Sequence, residues 1–200
     1  MRLFVALYPS PEAVNDVVEQ MGRLRTGAAA ASGINVRLTP PDRLHVTLAF
    51  LGDVEETWIP GLTRALDRAV QFWRRLMDAK AAAESPGPLR VRFGGGGYFG
   101  SGRFTVLWTG LVGDVDALHA LNQAIRRELK RADFPYERRP FRPHLTIARP
   151  GDRMDPESIE EDCATLDGYL GPSWPVAEMV LMRSHLGPRP RYEPITAWPL

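Results

Sequence analysis

Apolar and polar positions along the chain switch between a period of two and a period of three to four, and the switches mark out its elements. Arg2 to Tyr8 reads as a strand. Ser10-Pro11-Glu12 then sets a capping residue before a proline, which predicts a helix running to roughly Arg25. Thr26 to Gly33, alanines between glycines, reads as a loop or frayed helix end, and Arg37 to Leu38 as a short strand before the Pro40-Pro41 turn. Alternation over Leu44 to Phe50 predicts a strand with Leu44, Val46, Leu48 and Phe50 in one core, and Gly52-Asp53 ends it. From Glu55 to about Ala82 the recurrence of Ile59, Leu62, Leu66, Val70, Trp73 and Met77 predicts an amphipathic helix, broken at Ser85 to Pro88.

Leu89 to Phe93 and Phe104 to Leu111 read as strands around a flexible glycine-rich connection, Gly94 to Gly102. Asp114 caps a second long helix with Val115, Leu118, Leu121, Ile125 and Leu129 on its apolar face. Further strands fall at His144 to Arg149, around Val176 to Arg183 and near Tyr192 to Trp198. Hairpin-like strand pairs between helices favour an α+β protein with antiparallel sheets over a doubly wound parallel one.

Two of these strands read as copies. His45-Val46-Thr47-Leu48-Ala49 and His144-Leu145-Thr146-Ile147-Ala148 share the pattern His-apolar-Thr-apolar-Ala, each after a proline-containing approach. Strand alternation puts the imidazole and the hydroxyl of each copy on one surface, about 7 Å apart. The repetition predicts two lobes in one domain, residues 1–200, and if a pseudo-twofold axis relates them the two histidines face each other across a groove.

Two histidines facing each other across a groove match in-line displacement at phosphorus, one taking a proton from the attacking water and the other protonating the departing oxygen. Imidazole serves either role near neutral pH. Threonine hydroxyls can donate to the non-bridging oxygens. The roles of the two histidines are interchangeable on this reading, and the arrangement requires no metal.

Composition narrows the partners. The formal charge is +1, so a long polyanion is not attracted by net charge and must be gripped locally. Lys80 and Lys130 are the only lysines, and the remaining positive charge is arginine, a bias that suits phosphate and equally reflects genome base composition. Cys163 stands alone, which excludes an internal disulfide and any multi-cysteine metal site. No apolar run is long enough to span a bilayer, and the N-terminal run is too short for a signal-peptide core, so a cytoplasmic location is expected.

With these motifs in hand, the chain resembles the two-histidine phosphoesterases, in particular the bacterial and archaeal RNA 2′,3′-cyclic phosphodiesterases, also described as 2′-5′ RNA ligases. The resemblance runs through Arg2-Leu3-Phe4-Val5-Ala6-Leu7, Pro41 to Gly52, Arg142 to Arg149, Leu181-Met182-Arg183-Ser184 and Trp198-Pro199-Leu200. It implies a bilobal α+β fold, two pseudo-symmetric antiparallel sheets flanked by helices around a central cleft, and hydrolysis of RNA 2′,3′-cyclic phosphate ends to 2′-phosphomonoesters without metal or cofactor. It further implies His45 as general acid, His144 as base, and Thr47, Thr146 and Arg149 as the residues holding phosphate. Strict alternation from His144, however, sets Arg149 on the core side, and a twist at Pro150 would be needed to bring it into the cleft.

Two other readings remain open, 2′-5′ joining by the same histidines and a module that binds RNA ends or a nucleotide without turnover. His119 and His185 are assigned no role, and a monomer is expected. The glycine run lacks the Gly-Lys-Ser/Thr of a phosphate loop. Phe50, Tyr98, Phe99, Phe141 and Tyr192 could each stack a terminal base.

Overall fold

A computed structural model of the chain describes residues 1–81, 88–185, 187 and 191–200. Its strands are β1 (Arg2–Leu7), β2 (Arg37–Leu38), β3 (Val46–Asp53), β4 (Arg90–Phe99), β5 (Val106–Gly113), β6 (His144–Arg149), β7 (Trp174–Pro175), β8 (Glu178–His185) and β9 (Arg191–Pro199). The α-helices are α1 (Pro11–Arg23), α2 (Arg25–Ala31), α3 (Ile59–Ala81), α4 (Val115–Arg131) and α5 (Pro156–Asp167). The expected break at Ser85 to Pro88 lies almost wholly outside the described residues.

Every strand pairing is antiparallel, as the α+β reading requires, in the order β7-β4-β5-β6-β3-β1-β8-β9, with β2 also paired to β6. The two expected sheets are the two halves of this order. They join through a single residue pair, Val46 with Leu145, so the sheet is continuous but curled at its middle. Beyond that pair the central strands part. The freed edge of β3 is closed by Asn122 Nδ2 donating to Leu48 O at 2.7 Å and Glu137 N to Phe50 O at 2.8 Å. That of β6 is closed by β2 and by Thr39 N donating to Ile147 O at 2.8 Å. Backbone polar groups in the interior are thus satisfied on both sides of the junction.

One face of the sheet carries the helices. Leu3, Val5 and Leu7 of β1, Leu145 and Ile147 of β6, Leu62 and Leu66 of α3, and Leu118, Leu121 and Ile125 of α4 are each essentially inaccessible within one core cluster. Each such side chain contributes roughly 1.5–3 kcal/mol of burial. On the opposite face of β1 a second cluster gathers Phe4, Ala6, Val180 and Met182, with Tyr8, Phe50 and Tyr192 against it.

Several elements differ from the sequence reading for identifiable reasons. Residues 26–31 are helical, because the Asp162 carboxylate accepts from Arg25 N and Thr26 N and so caps α2 from a distant segment. Asp114 stands at the start of α4, but its carboxylate accepts from Arg90 N at 2.8 Å instead of from the helix. The glycines are no flexible loop, for β4 runs straight through Gly94 to Gly97 and pairs with β5 across a bulge between Phe93 and Gly96. A Cβ on Gly97 would stand 2.3 Å from the Trp108 indole, and one on Gly96 2.4 Å from Leu166 Cβ. The glycines let the indole and α5 lie directly on the strand.

Candidate active site

β3 and β6 carry the two His-x-Thr copies at the middle of the sheet. Carrying the Val46–Leu145 register one residue to either side sets His45 opposite Thr146 and Thr47 opposite His144. The four side chains therefore form a crossed quartet on the face away from the helices, and all four are half-buried. The apolar neighbours Val46, Leu48, Leu145 and Ile147 point the other way and are at most 2% exposed.

Both imidazoles are held identically. His45 Nδ1 donates to the Arg43 carbonyl at 2.7 Å, and His144 Nδ1 donates to the Arg142 carbonyl at 2.7 Å. A carbonyl can only accept, so in the neutral ring Nδ1 carries the proton and the Nε2 lone pair is left free.

Each strand bulges just after its threonine. On β3, Thr47 pairs with Ala6 but Ala49 with Val5, and on β6, Thr146 pairs with Trp108 but Ala148 with Leu107. An extra residue in each strand shifts the alternation, so Leu48 with Ala49, and Ile147 with Ala148, are buried in succession. The residue that follows comes out on the opposite face. In β6 that residue is Arg149, which is exposed and whose charge reaches His144. The bulge, without a twist at Pro150, moves Arg149 off the core side that strict alternation gave it. In β3 it is Phe50, which leaves the main core and joins Phe4 and Tyr192 in the second cluster, correcting the expected inward placement.

The pair is electrostatically unequal. Burial holds the pKa of His45 below the ordinary value of 6.5; its carbonyl contact opposes this, and the other imidazole, His144, adds to the lowering. Burial lowers His144 likewise, opposed by the Arg142 carbonyl, and the Arg142 and Arg149 guanidiniums press it down further. Among the described residues, no three His, Cys, Asp or Glu side chains come together as a metal site would need.

The family profile described as the 2′-5′ RNA ligase superfamily matches residues 11–188. The chain belongs to that superfamily. An RNA 2′,3′-cyclic phosphodiesterase of Geobacillus stearothermophilus is 34% identical over 160 residues, 78% of this chain but 45% of that protein, so the chain spans about half its length. Another, from Thermus thermophilus, is 28% identical over 199 residues, 94% of this chain and 84% of that one. The crystal structure of TT0787 of Thermus thermophilus is 28% identical and superposes with a TM-score of 0.71 over all of this chain and 98% of that one. Escherichia coli LigT, crystallised with NADP+, shares the fold at 23% identity and a TM-score of 0.69, over all of this chain and 96% of its own.

In this member of the superfamily, aromatic rings wall both histidines. Phe4, Tyr8 and Tyr192 lie with ring centroids 5.0, 6.0 and 5.4 Å from His45. Phe99 and Trp108 stack on each other at 5.2 Å and stand 5.0 and 6.0 Å from His144. The Tyr8 hydroxyl and the Trp108 indole nitrogen are buried without a hydrogen-bond partner among the described residues. Burial, with Tyr192 beside it, pushes the Tyr8 phenol up to about 12, so it stays neutral.

Of the base-stacking candidates, Phe99 and Tyr192 touch the histidines and Phe50 borders the cleft cluster. Phe141 packs against His119, centroids 5.2 Å apart, and also borders the space beside His144, while Tyr98 is exposed. His185 is engaged by the Glu193 carboxylate at 2.7 Å. Sequence reasoning missed Phe4, Tyr8, Trp108 and Arg142. Arg142 sits two residues before His144, as Arg43 does before His45, and that recurrence was the available signal.

No helix among the described residues is long and apolar enough to cross a membrane.

Proposed function

We propose that the chain hydrolyses 2′,3′-cyclic phosphate ends of RNA to 2′-phosphomonoesters, with His45 and His144 as the acid and base. The observation carrying this reading is the matched hydrogen bonding of the two rings on paired strands, which leaves both Nε2 lone pairs free on the face that also carries the two threonines. The names borne by the relatives supply the substrate class.

The unequal surroundings support one assignment of the roles. His144 lies in the field of two guanidiniums, which favour its neutral form and so a base. Among the groups acting on His45 only the other imidazole can be cationic, so no guanidinium opposes its protonated form, and it takes the part of the acid. Water attacks phosphorus as His144 Nε2 takes its proton. The P–O3′ bond breaks on the far side, and His45 Nε2 delivers a proton to O3′. Thr47, Thr146 and Arg149 hold the non-bridging oxygens, where their donors offset the charge that builds in the transition state. The proton then passes from His144 to solvent and His45 is reprotonated. All of this is done by side chains of the chain itself, and no step calls for a metal ion. A ribose 5′-hydroxyl in place of water would give a 2′-5′ bond by the same two transfers.

The test is phosphorus NMR of an RNA oligomer ending in 2′,3′-cyclic phosphate, incubated with the protein in excess chelator. Conversion to the 2′-monoester is expected. A cyclic phosphate that persists from pH 5 to 9 contradicts hydrolysis and points to a binding module, and a 3′-monoester reverses the proposed roles of the two sides.

A further inference from the structure

A cavity of about 110 Å³ opens beside the quartet, lined among others by Thr47, Phe50, His144, Arg126, Arg139 and Arg142. It is not needed by the two proton transfers. It has room for several waters and so for a phosphate group. Its walls are fixed. Glu137 N donates to Phe50 O, Arg126 donates to the carbonyls of Glu137 and Arg139, and Asn122 holds Leu48 O.

The mouth is cationic. Arg139 and Arg142 are both exposed. Arg142 has no carboxylate partner among the described residues and rests against aromatic faces, its guanidinium 5.8 Å from the centroids of both Phe99 and Trp108. Arg139 meets the Glu137 carboxylate at 3.2 Å, in an exposed pair that contributes little and that an anion can displace. With a net charge of +1 the chain has no long-range field to hold RNA, so this local pair of guanidiniums is where a second strand phosphate finds compensation.

We propose that Arg139 and Arg142 form an anion subsite for the phosphodiester immediately upstream of the cyclic phosphate. The chain therefore selects RNA ends over free nucleoside 2′,3′-cyclic phosphates, without reading sequence, because phosphate contacts position a strand and do not identify its bases. This rests on the hydrolase reading given above.

The experiment compares kcat/KM for a dinucleotide ending in 2′,3′-cyclic phosphate with that for the matching nucleoside 2′,3′-cyclic phosphate, in wild type, Arg139→Ala and the Arg139→Ala/Arg142→Ala pair. Both substrates meet the same preparation, so the ratio is insensitive to a partly inactive variant. The wild type is expected to prefer the dinucleotide by about 10-fold or more, as charge-assisted hydrogen bonds supply, with the preference reduced in Arg139→Ala and abolished in the double variant. The wild-type preference should also weaken with salt, by about 0.7 logarithmic units per unit of log salt for each phosphate contact. Equal rates on the two substrates in wild type, or a preference that survives both substitutions, overturn the subsite. Turnover of neither substrate overturns the hydrolase reading itself, and the subsite falls with it.

Discussion

On the proposed mechanism, Thr47 and Thr146 are the residues whose contribution is most cleanly separated from the proton transfers. Each faces the histidine of the other strand, and a hydroxyl that donates to a non-bridging oxygen acts only when charge builds there. Replacing either with valine keeps the shape and removes the donor, so kcat for a cyclic phosphate end should fall about 10²–10³-fold with little change in KM. A larger effect on KM than on kcat would place the threonines in ground-state binding instead. At this scale much was legible. Two His-x-Thr copies name a quartet whatever the fold, because strand alternation alone puts imidazole and hydroxyl on one face. What alternation could not convey was the position of Arg149 or Phe50, since each lies one residue beyond a bulge, and an added residue reverses the side on which everything after it emerges.

Among the elements, β4 shows how tertiary contact overrides composition. Four consecutive glycines suggest a loop, yet Leu166 and Trp108 occupy the space where side chains on Gly96 and Gly97 would stand. Gly97→Ala would drive a methyl group into the indole that walls His144. The expected cost is about 1–3 kcal/mol in chemical denaturation, with loss of activity as Phe99 and Trp108 are displaced. A variant of unchanged stability would show that β4 does not need this close approach. Helix α5 was not anticipated at all, though Asp155-Pro156-Glu157 is a sound helix start, and Asp155 does accept from Ser158 N at 2.7 Å. Its apolar side chains are few, Ile159 and Leu166 being the buried ones, so no periodic stripe announces it. The cap on α2 was likewise invisible, because Asp162 is more than a hundred residues away from it.

Over the whole molecule the two halves are alike in backbone and unlike in charge. Each supplies a strand with a ring, a hydroxyl and a bulge, and the repetition in sequence predicted this bilobal plan. Their union into one sheet through Val46 and Leu145 depends on a single residue pair, which leaves no pattern in the chain. The shared cleft also sets a pH dependence. Both histidines are held below 6.5 in the folded protein, so as pH falls below that value the unfolded chain binds protons that the folded one does not. Stability is therefore undiminished by these groups above about pH 6.5 and declines as pH drops toward their lowered values. Glu128 shifts in the same direction, but its contribution is lost only below its ordinary value of 4.5. Denaturant titrations at pH 7 and pH 5 should thus show a loss in wild type that is smaller in His45→Gln/His144→Gln, and an equal loss in both proteins would remove the histidines as its source.

The assignment of catalysis to the pair is tested most directly by the rates of His45→Ala and His144→Ala on an RNA oligomer ending in 2′,3′-cyclic phosphate, with circular dichroism to confirm folding. Each folded variant is expected to lose about 10²–10⁴-fold in kcat, as removal of a general acid or base does. Wild-type turnover by either folded variant would contradict the two-histidine account.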